Sequence, residues 1–139
     1  MSESTETQNF WADAEVIHTY TRAQGIADGV LVDVTETARE AGFKFPVALT
    51  SALYFDAVAW NEDNIASQDI EGRLWDVLSM AYFAIRGTRD RNTDRITASV
   101  LRIPNKARCT VPRKLTFTVH IGPGDTPEPV MTFMLPHES

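Results

Sequence analysis

The fold class is decided by the stretch Leu115-Thr116-Phe117-Thr118-Val119-His120-Ile121. Its apolar side chains occupy every second position, which places them on one face of a β-strand and the polar side chains on the other. Two further runs, Arg95 to Ile103 and Val130 to Leu135, lie on either side of this stretch and also predict strands. The last third of the chain is therefore predicted to form an antiparallel sheet of about three strands, connected as a meander.

A loop rich in glycine and proline separates the last two predicted strands, and it begins with Gly122-Pro123-Gly124-Asp125. Two glycines allow a backbone to approach an anion closely, so a phosphate-binding loop is one interpretation. The loop joins two strands and does not open a helix, so it lacks the helix N-terminus that phosphate-binding loops use. A hairpin turn is the favoured prediction.

The residues before the sheet have helical periodicity. Asp69 to Arg86 places its apolar residues on one stripe, and Pro46 to Trp60, with proline in its first turn, is apolar on nearly all sides. Phe10 to Gln24 predicts another helix, which Asn9 would cap and Gly25 would end. We expect the helices over 46–60 and 69–86 to form the hydrophobic centre on which the sheet packs.

Two shorter elements complete the predicted fold. Asp28-Gly29 favours a turn with positive φ, after which Val30 to Val34 can form one short N-terminal strand. Thr35 can cap a short helix through Ala41, and Gly42 suits the left-handed position just past its end. The predicted fold class is therefore α+β, with three main helices and a short one packed on a C-terminal antiparallel sheet.

Length and composition are those of one globular domain. The chain has 139 residues, 43% of them apolar, which suffices for one hydrophobic core but not for two. We expect a polar N-terminal tail over residues 1–9 and a single domain over residues 10–139. The sequence has no membrane-spanning apolar run and no secretory leader, and Cys109 has no cysteine partner for a disulfide. These features predict a cytoplasmic protein that does not bind the membrane.

Three segments carry a family resemblance: Ile17 to Val34, Arg73-Leu74-Trp75-Asp76-Val77-Leu78, and Gly122-Pro123-Gly124-Asp125 followed by Pro129-Val130. They resemble a family of small uncharacterised proteins encoded by bacterial plasmids, phages and integrated elements. The resemblance extends from about Phe10 to Pro136. It implies an accessory protein of a mobile element, of the kind that acts on host systems such as defence systems, and it assigns no catalytic residue.

Charge is distributed unevenly along the chain. The formal net charge is −6, yet residues 86–114 carry nine basic and two acidic side chains, whereas residues 1–85 carry four basic and fourteen acidic ones. Guanidinium groups bind phosphate and carboxylate through paired hydrogen bonds, so this segment is a candidate surface for an acidic protein, a nucleotide or a nucleic acid. Neutralisation against the acidic helical part is the structural alternative. The candidate binding residues are Arg86, Arg89, Arg91, Arg95, Arg102 and Arg108, and Lys106, Arg113 and Lys114 lie in the same segment.

A pocket between helix and strand is an alternative site. Carboxylates beside a tyrosine and an arginine suit acid–base chemistry or the binding of a nucleotide or phosphate metabolite. The same aspartates can instead form turns, and Asp56, in an otherwise apolar helix, needs a partner such as Arg22 or Arg73 if it is buried. The candidate residues are Tyr20, Arg22, Asp28, Asp33 and Asp56.

No sequence motif predicts a metal or a cofactor. Glu15 and His18 have the spacing of a helical carboxylate metal site, but no second pair accompanies them. Cys109 has only Arg108 as an activating sequence neighbour, and a nucleophilic role would require His18 or His120 to be brought to it by folding. We therefore expect neither.

The leading hypothesis is a non-catalytic accessory protein that binds or inhibits a host protein or protein complex through the arginine-rich loop and strand. One alternative is a small nucleotide- or phosphate-binding protein or enzyme, and a second is a nucleic-acid-binding protein. Base stacking uses aromatic side chains among the cations, and residues 86–114 contain none. The sequence does not indicate an oligomeric state.

Overall fold

The computed structural model describes residues 21–61, 66, 68–89 and 93–138. Within these residues the chain forms four helices and one five-stranded sheet. The predicted tail over residues 1–9 and most of the helix predicted over 10–24 lie outside the described residues. The elements in chain order are α1 (Arg22–Ala27), β1 (Leu31–Asp33), α2 (Thr35–Glu40), β2 (Val47–Thr50), α3 (Ser51–Ala57), α4 (Ile70–Gly87), β3 (Arg95–Arg102), β4 (Arg113–Pro123) and β5 (Pro129–Met134).

The sheet has the strand order β1-β2-β5-β4-β3. Neighbouring strands are antiparallel except β2 and β5, which run parallel. The α+β class, the short N-terminal strand and the meander of β3, β4 and β5 are confirmed. The predicted sheet of about three C-terminal strands was too small, because β2 joins β5 and β1 joins β2.

The hydrophobic core lies between α4 and one face of the sheet. Val77, Leu78 and Ala81 of α4 are fully buried and belong to one cluster with alternate residues of the strands. Phe117 of β4 and Phe133 of β5 are also fully buried, and their ring centroids lie 5.7 Å apart. Burying each large apolar side chain contributes about 1.5–3 kcal/mol. The predicted stripe of α4 and the predicted alternation of β4 thus meet in the core.

The helix predicted from Pro46 to Trp60 is wrong in its first half. Its first residues form β2, and α3 follows directly, capped by the Thr50 hydroxyl, which accepts a hydrogen bond from the Leu53 N–H at 3.3 Å. A short run that is apolar on both sides fits a central strand as well as a buried helix, and periodicity does not separate the two. Three consecutive residues of β2 are completely buried in the interior of the sheet: Val47, Ala48 and Leu49.

Helix α1 overlaps only the last residues of the helix predicted from Phe10 to Gln24, whose first residues lie outside the described ranges, and it continues to Ala27. Thr21 and Gln24 form a capping box, in which each side chain accepts a hydrogen bond from the other residue's N–H, at 3.0 and 3.2 Å. Gly25, predicted to end the helix, lies buried inside it. A Cβ at this position would lie only 3.1 Å from the Leu31 Cδ1, so the close approach of α1 to Leu31 favours glycine. The chain turns after the helix at Gly29, whose φ of +78° confirms the predicted turn.

Helix α2 confirms the predicted short helix, but Thr35 is its first residue rather than its cap. The residue that precedes it, Val34, has no side-chain hydrogen bond to the helix. Thr35 instead uses its hydroxyl to accept a hydrogen bond from the Val47 N–H at 3.2 Å, which ties the start of α2 to β2. Gly42 follows the helix with φ +104°, in the left-handed region that the sequence predicted.

One arginine is buried where α4 meets the ends of α3 and β3. Arg73 exposes 4% of its surface. Its guanidinium donates hydrogen bonds to the carbonyl oxygens of Val58 at 3.0 Å and Ile103 at 2.9 Å, and lies 4.7 Å from the centroid of the Trp60 ring. Burial lowers the pKa of Arg73 from its ordinary value, but arginine stays protonated at neutral pH. A buried charge is thus held by backbone oxygens, and it ties three elements together.

Arg73→Met should lower the free energy of unfolding by about 2–4 kcal/mol, because it keeps the aliphatic length but leaves buried carbonyl oxygens without donors. Urea denaturation followed by circular dichroism measures the change. Arg86→Met is the matched control, since Arg86 is exposed and its loss should cost less than about 0.5 kcal/mol. Equal losses in the two variants would contradict this role for Arg73.

Candidate basic binding cleft

Five cationic residues gather where β3 ends and β4 begins. Arg102 and Arg113 are cross-strand partners, and Lys114 follows in β4. The connecting loop carries Lys106 and Arg108, and Arg108 has a positive φ of +67° in this tight connection. Two of the predicted binding residues, Arg102 and Arg108, therefore lie at the same end of the sheet.

The other predicted arginines lie at the opposite end of β3. Arg95 opens this strand of eight residues, Arg86 lies in the last turn of α4, and Arg89 follows that helix. At about 3.3 Å per residue, the strand separates its two ends by about 23 Å. Arg91 lies outside the described residues. The described arginines of the predicted surface thus form two groups rather than one patch.

A cleft of about 680 Å³ opens beside the group at the end of β3. Its walls come from α3, the end of β3, the following loop and the start of β4, and the free thiol of Cys109 is part of the lining. We call this feature the basic cleft. The side chains that determine its chemistry are Phe55, Asp56, Arg102, Lys106, Arg113 and Lys114.

Asp56 is the one acidic residue among those that line the basic cleft, and it has an internal partner. Arg102 donates to its Oδ1 from Nε at 2.9 Å and from Nη2 at 2.8 Å. The carboxylate of Asp56 therefore has an arginine partner, as expected for an acidic residue in an apolar helix, but that partner is Arg102 rather than Arg22 or Arg73. Because this pair is neutral as a unit, the further cations of the lining are Arg113, Lys114 and Lys106, the last of which also has a contact within the chain.

Exposed apolar side chains accompany these cations. Phe55 lines the basic cleft with 66% of its surface exposed, and Leu101 and Val111 are exposed by 67% and 64%. The sequence did not reveal Phe55, because it precedes the basic segment by a whole helix and strand and reaches the cleft only through the fold. In the sequence it is one of many apolar residues in a run predicted to be a buried helix.

Arg22, from the alternative pocket, is committed to the fold. Its guanidinium donates hydrogen bonds to the Thr132 hydroxyl at 2.8 Å and to the Met131 carbonyl oxygen at 2.6 Å. Burial lowers its pKa from the ordinary value, and the carboxylates of Asp33 and Asp125 oppose that shift. Arg22 therefore fastens α1 to β5.

Among the described residues of the alternative pocket, Asp33 comes near Arg22, whereas Asp28 and Asp56 do not converge with it. Asp28 is the C-cap of α1, where its N–H donates to backbone carbonyl oxygens of that helix. Asp56 lies in the basic cleft, and Tyr20 lies outside the described residues. Only Arg22 and Asp33 of the predicted set are brought near each other.

Asp125 gives the Gly122-Pro123-Gly124-Asp125 segment a structural role. The hairpin turn predicted for this segment is confirmed, with β4 and β5 paired as far as Pro123 and Pro129. The Asp125 carboxylate accepts hydrogen bonds from the N–H groups of Arg22 at 2.7 Å and Ala23 at 3.1 Å. The hairpin thus supplies acceptors for the first turn of α1.

In the described ranges, no three side chains of histidine, cysteine, aspartate or glutamate converge on one point. Glu15 and His18, which have metal-site spacing, lie outside those ranges. None of the helices in the described part of the chain has both the length and the apolar surface needed to cross a bilayer.

A family model matches the chain over residues 7–139, and its description is a family of unknown function (DUF6573). The match includes the basic cleft and every element of the described fold. No curated protein and no solved structure matches the chain.

Asp125→Ala should lower the free energy of unfolding by about 1–2 kcal/mol, because two N–H groups of α1 lose their acceptor. Chemical denaturation of the full chain measures this loss. Glu128→Ala removes a carboxylate from the same hairpin without touching α1, and it should stay within about 0.5 kcal/mol of the parent. A neutral effect of Asp125→Ala would show that the cap does not hold α1.

Proposed function

The chain belongs to DUF6573, a family of unknown function, and we propose that it is a non-catalytic protein that binds an acidic segment of a partner protein in the basic cleft. The observation that carries this proposal is the composition of the cleft, which has four cations, one carboxylate and an exposed aromatic ring. Such a site attracts an acidic segment and also offers it an apolar contact.

The cations and the aromatic ring of the cleft have different physical roles in the proposed binding. Lys106 and Arg113 attract negative charge over several ångströms and raise the rate of encounter. Phe55 contributes affinity, because its exposed ring loses water contact when a partner covers it. The pair of Asp56 and Arg102 keeps one wall of the cleft fixed before binding.

The exposed apolar side chains of β3 and of the loop that follows it favour a protein over a nucleic acid. Leu101 in β3 and Val111 in that loop are aliphatic, so they suit contact with another protein but do not stack on bases. Phe55 is the single aromatic side chain in the lining, whereas sequence-independent binding of single strands uses several. An acidic protein segment therefore fits the described surface better.

The proposed partner is a host protein or protein complex, such as a defence component, met in the host cytoplasm. Support comes from the resemblance of three segments to proteins of bacterial plasmids, phages and integrated elements. In the structure these segments contain Gly25, Arg73 and Asp125, each of which holds the fold together. The family likeness then describes a scaffold, and the cleft is the part left for a partner.

Single-stranded nucleic acid is the second candidate ligand, and one observation favours it. Phe55 lies among cations, and a base stacked on an aromatic ring beside phosphate-binding side chains is a recurrent arrangement. The nucleotide or enzyme hypothesis has less support, because Asp28 and Asp56 lie apart from Arg22 and Asp33, and Arg22 is engaged by β5.

The test uses a fluorescent random copolymer of glutamate and tyrosine, with poly-glutamate and oligothymidine as comparisons, in anisotropy titrations at one salt concentration. Lys106→Glu combined with Arg113→Glu should weaken binding of the copolymer by about ten-fold or more, equivalent to about 1.4 kcal/mol. The copolymer should bind more tightly than poly-glutamate, and Phe55→Ala should remove that advantage.

The matched control is Arg39→Glu combined with Lys44→Glu, which changes net charge equally at exposed positions outside the cleft. The Kd of the copolymer for this control variant should differ from that of the parent by less than about two-fold, because charges outside the cleft act on the ligand only through screened, long-range attraction. Equal weakening in both double variants would refute a localised site. Tighter binding of oligothymidine, lost in Phe55→Ala, would favour the nucleic-acid candidate instead.

Asp56→Asn should strengthen binding of the copolymer by about two- to five-fold, because it removes the one negative charge of the lining and frees Arg102 for the ligand. The same titration measures this gain, and the partly exposed ion pair should cost about 1 kcal/mol of stability or less. Glu36→Gln, an equal charge change on α2, is the control. Weaker binding by the Asn variant would contradict the proposed electrostatics.

A further inference from the structure

Strand β3 forms one edge of the sheet, with β4 as its neighbour. The carbonyl oxygen of Asp94 accepts a hydrogen bond from the Ile121 N–H at 2.8 Å, so Asp94 directs its backbone groups toward β4. These directions alternate along an antiparallel strand. The N–H and C=O groups of Thr97, Ser99 and Leu101 therefore point away from the sheet.

In the described part of the chain, only the start of this edge carries a feature that prevents strands from pairing. The outward groups of Arg95 are satisfied by the Thr93 hydroxyl, which donates to its carbonyl oxygen at 2.9 Å and accepts from its N–H at 3.2 Å. Among the described residues, none forms such hydrogen bonds with the outward N–H and C=O groups of Thr97, Ser99 and Leu101. Ile96 to Leu101 contains no proline and no charge, whereas β1 at the other edge has three residues only.

The sequence of β3 is complementary to itself in antiparallel orientation. When Ala98 is set opposite Ala98 of a second copy, Ile96 falls opposite Val100, and Thr97 falls opposite Ser99. Apolar residues then meet on the face that carries the core, and hydroxyl side chains meet on the other face. The register keeps every side chain on its own face, as a continuous sheet requires.

The same register also suits the backbone and the charges. Thr97 and Ser99 both point outward, so each opposed pair exchanges two backbone hydrogen bonds, and two-fold symmetry makes about four in all. At each end Asp94, whose carboxylate lies 3.6 Å from His120 Nε2, falls opposite Arg102, which keeps its pairing with Asp56. Arg95 falls opposite Leu101, so no like charges are directly opposed.

We propose that two copies of this chain pair through β3 in this antiparallel register and form one continuous ten-stranded sheet. The contact is two-fold symmetric, so it closes at a dimer and leaves no further β3 edge. It does not rest on the proposed function, because Thr97 and Ser99, which exchange the backbone hydrogen bonds, lie outside the lining of the basic cleft.

An apolar surface next to this edge supports a second copy as the occupant. A groove of about 330 Å³ borders the edge, and its lining includes Met80 and Phe83 of α4, which are 40% and 64% exposed. Because α4 packs over β3, pairing brings the α4 helices of both copies side by side. We expect the dimer to cover Met80 and Phe83 where the two α4 helices meet across the two-fold axis.

Ser99→Pro is the sharpest test of the pairing. Its N–H points away from β4, so proline removes an outward donor and puts its ring on the edge without breaking the ladder to β4. In sedimentation equilibrium of the full chain over a concentration series, the parent should reach twice the chain mass and Ser99→Pro should stay at the chain mass. Ser99→Thr retains the N–H and should dimerise like the parent. A monomeric parent, or a dimeric proline variant, would overturn the proposal.

A cysteine cross-link tests the register and does not depend on the folding of the proline variant. In a Cys109→Ser background, Ala98→Cys should give a disulfide-linked dimer after oxidation with diamide, because opposed Cα atoms at this kind of pair lie about 4.5 Å apart. Leu101→Cys in that background is the control, since its counterpart lies about 20 Å along the strand. Equal cross-linking of both variants would refute the register.

The alternative to self-pairing is that a strand of another protein pairs with the β3 edge. A parent chain that is monomeric, and whose binding of the glutamate–tyrosine copolymer is lost in Ser99→Pro, would identify that alternative and overturn self-pairing. Loss of copolymer binding in the cleft variants alone, with dimerisation intact, concerns the proposed function and leaves the dimer standing.

Discussion

The arrangement of the whole chain depends on the parallel pairing of β2 with β5. This contact joins a strand from the first half of the chain to the last strand of the C-terminal meander, and so makes one sheet of two segments. Because α3 follows β2 without a loop, the same pairing fixes where α3 lies. Phe55 and Asp56 are thereby carried to the end of β3, and the basic cleft has its second wall.

Two polar contacts hold this sheet to its helices, and both use charges that the sequence left unassigned. Arg73 joins α4 to the ends of α3 and β3 through backbone oxygens, and Asp125 joins the hairpin after β4 to α1. Both residues belong to the segments that carry the family resemblance. These segments therefore include residues that hold the described fold together, and a likeness in them concerns the fold before any function.

The sequence predicted the elements whose own periodicity identifies them, and failed where the answer depended on distant residues. Helix α4 and strand β4 are long and one-sided, so their patterns were sufficient. Consecutive residues of β2 are buried on both of its faces, and its partner strand β5 is remote in sequence, so local periodicity does not identify it. The arginines were grouped by their nearness along the chain, but an extended strand separates its ends, and only folding placed Phe55 among the cations.

Pairing of two copies through β3 would change the relation between the two arginine groups at the ends of this strand. In an antiparallel pairing, the end of β3 that carries Arg95 in one copy lies beside the end that carries Arg102 in the other. The two arginine groups, distant within one chain, then become neighbours across the dimer, and each basic cleft gains cations from the second copy. An acidic partner that contacts both groups binds the dimer more tightly than the monomer, so by linkage it also stabilises the dimer. The charge asymmetry of the sequence and the unprotected edge of the sheet would then serve one surface.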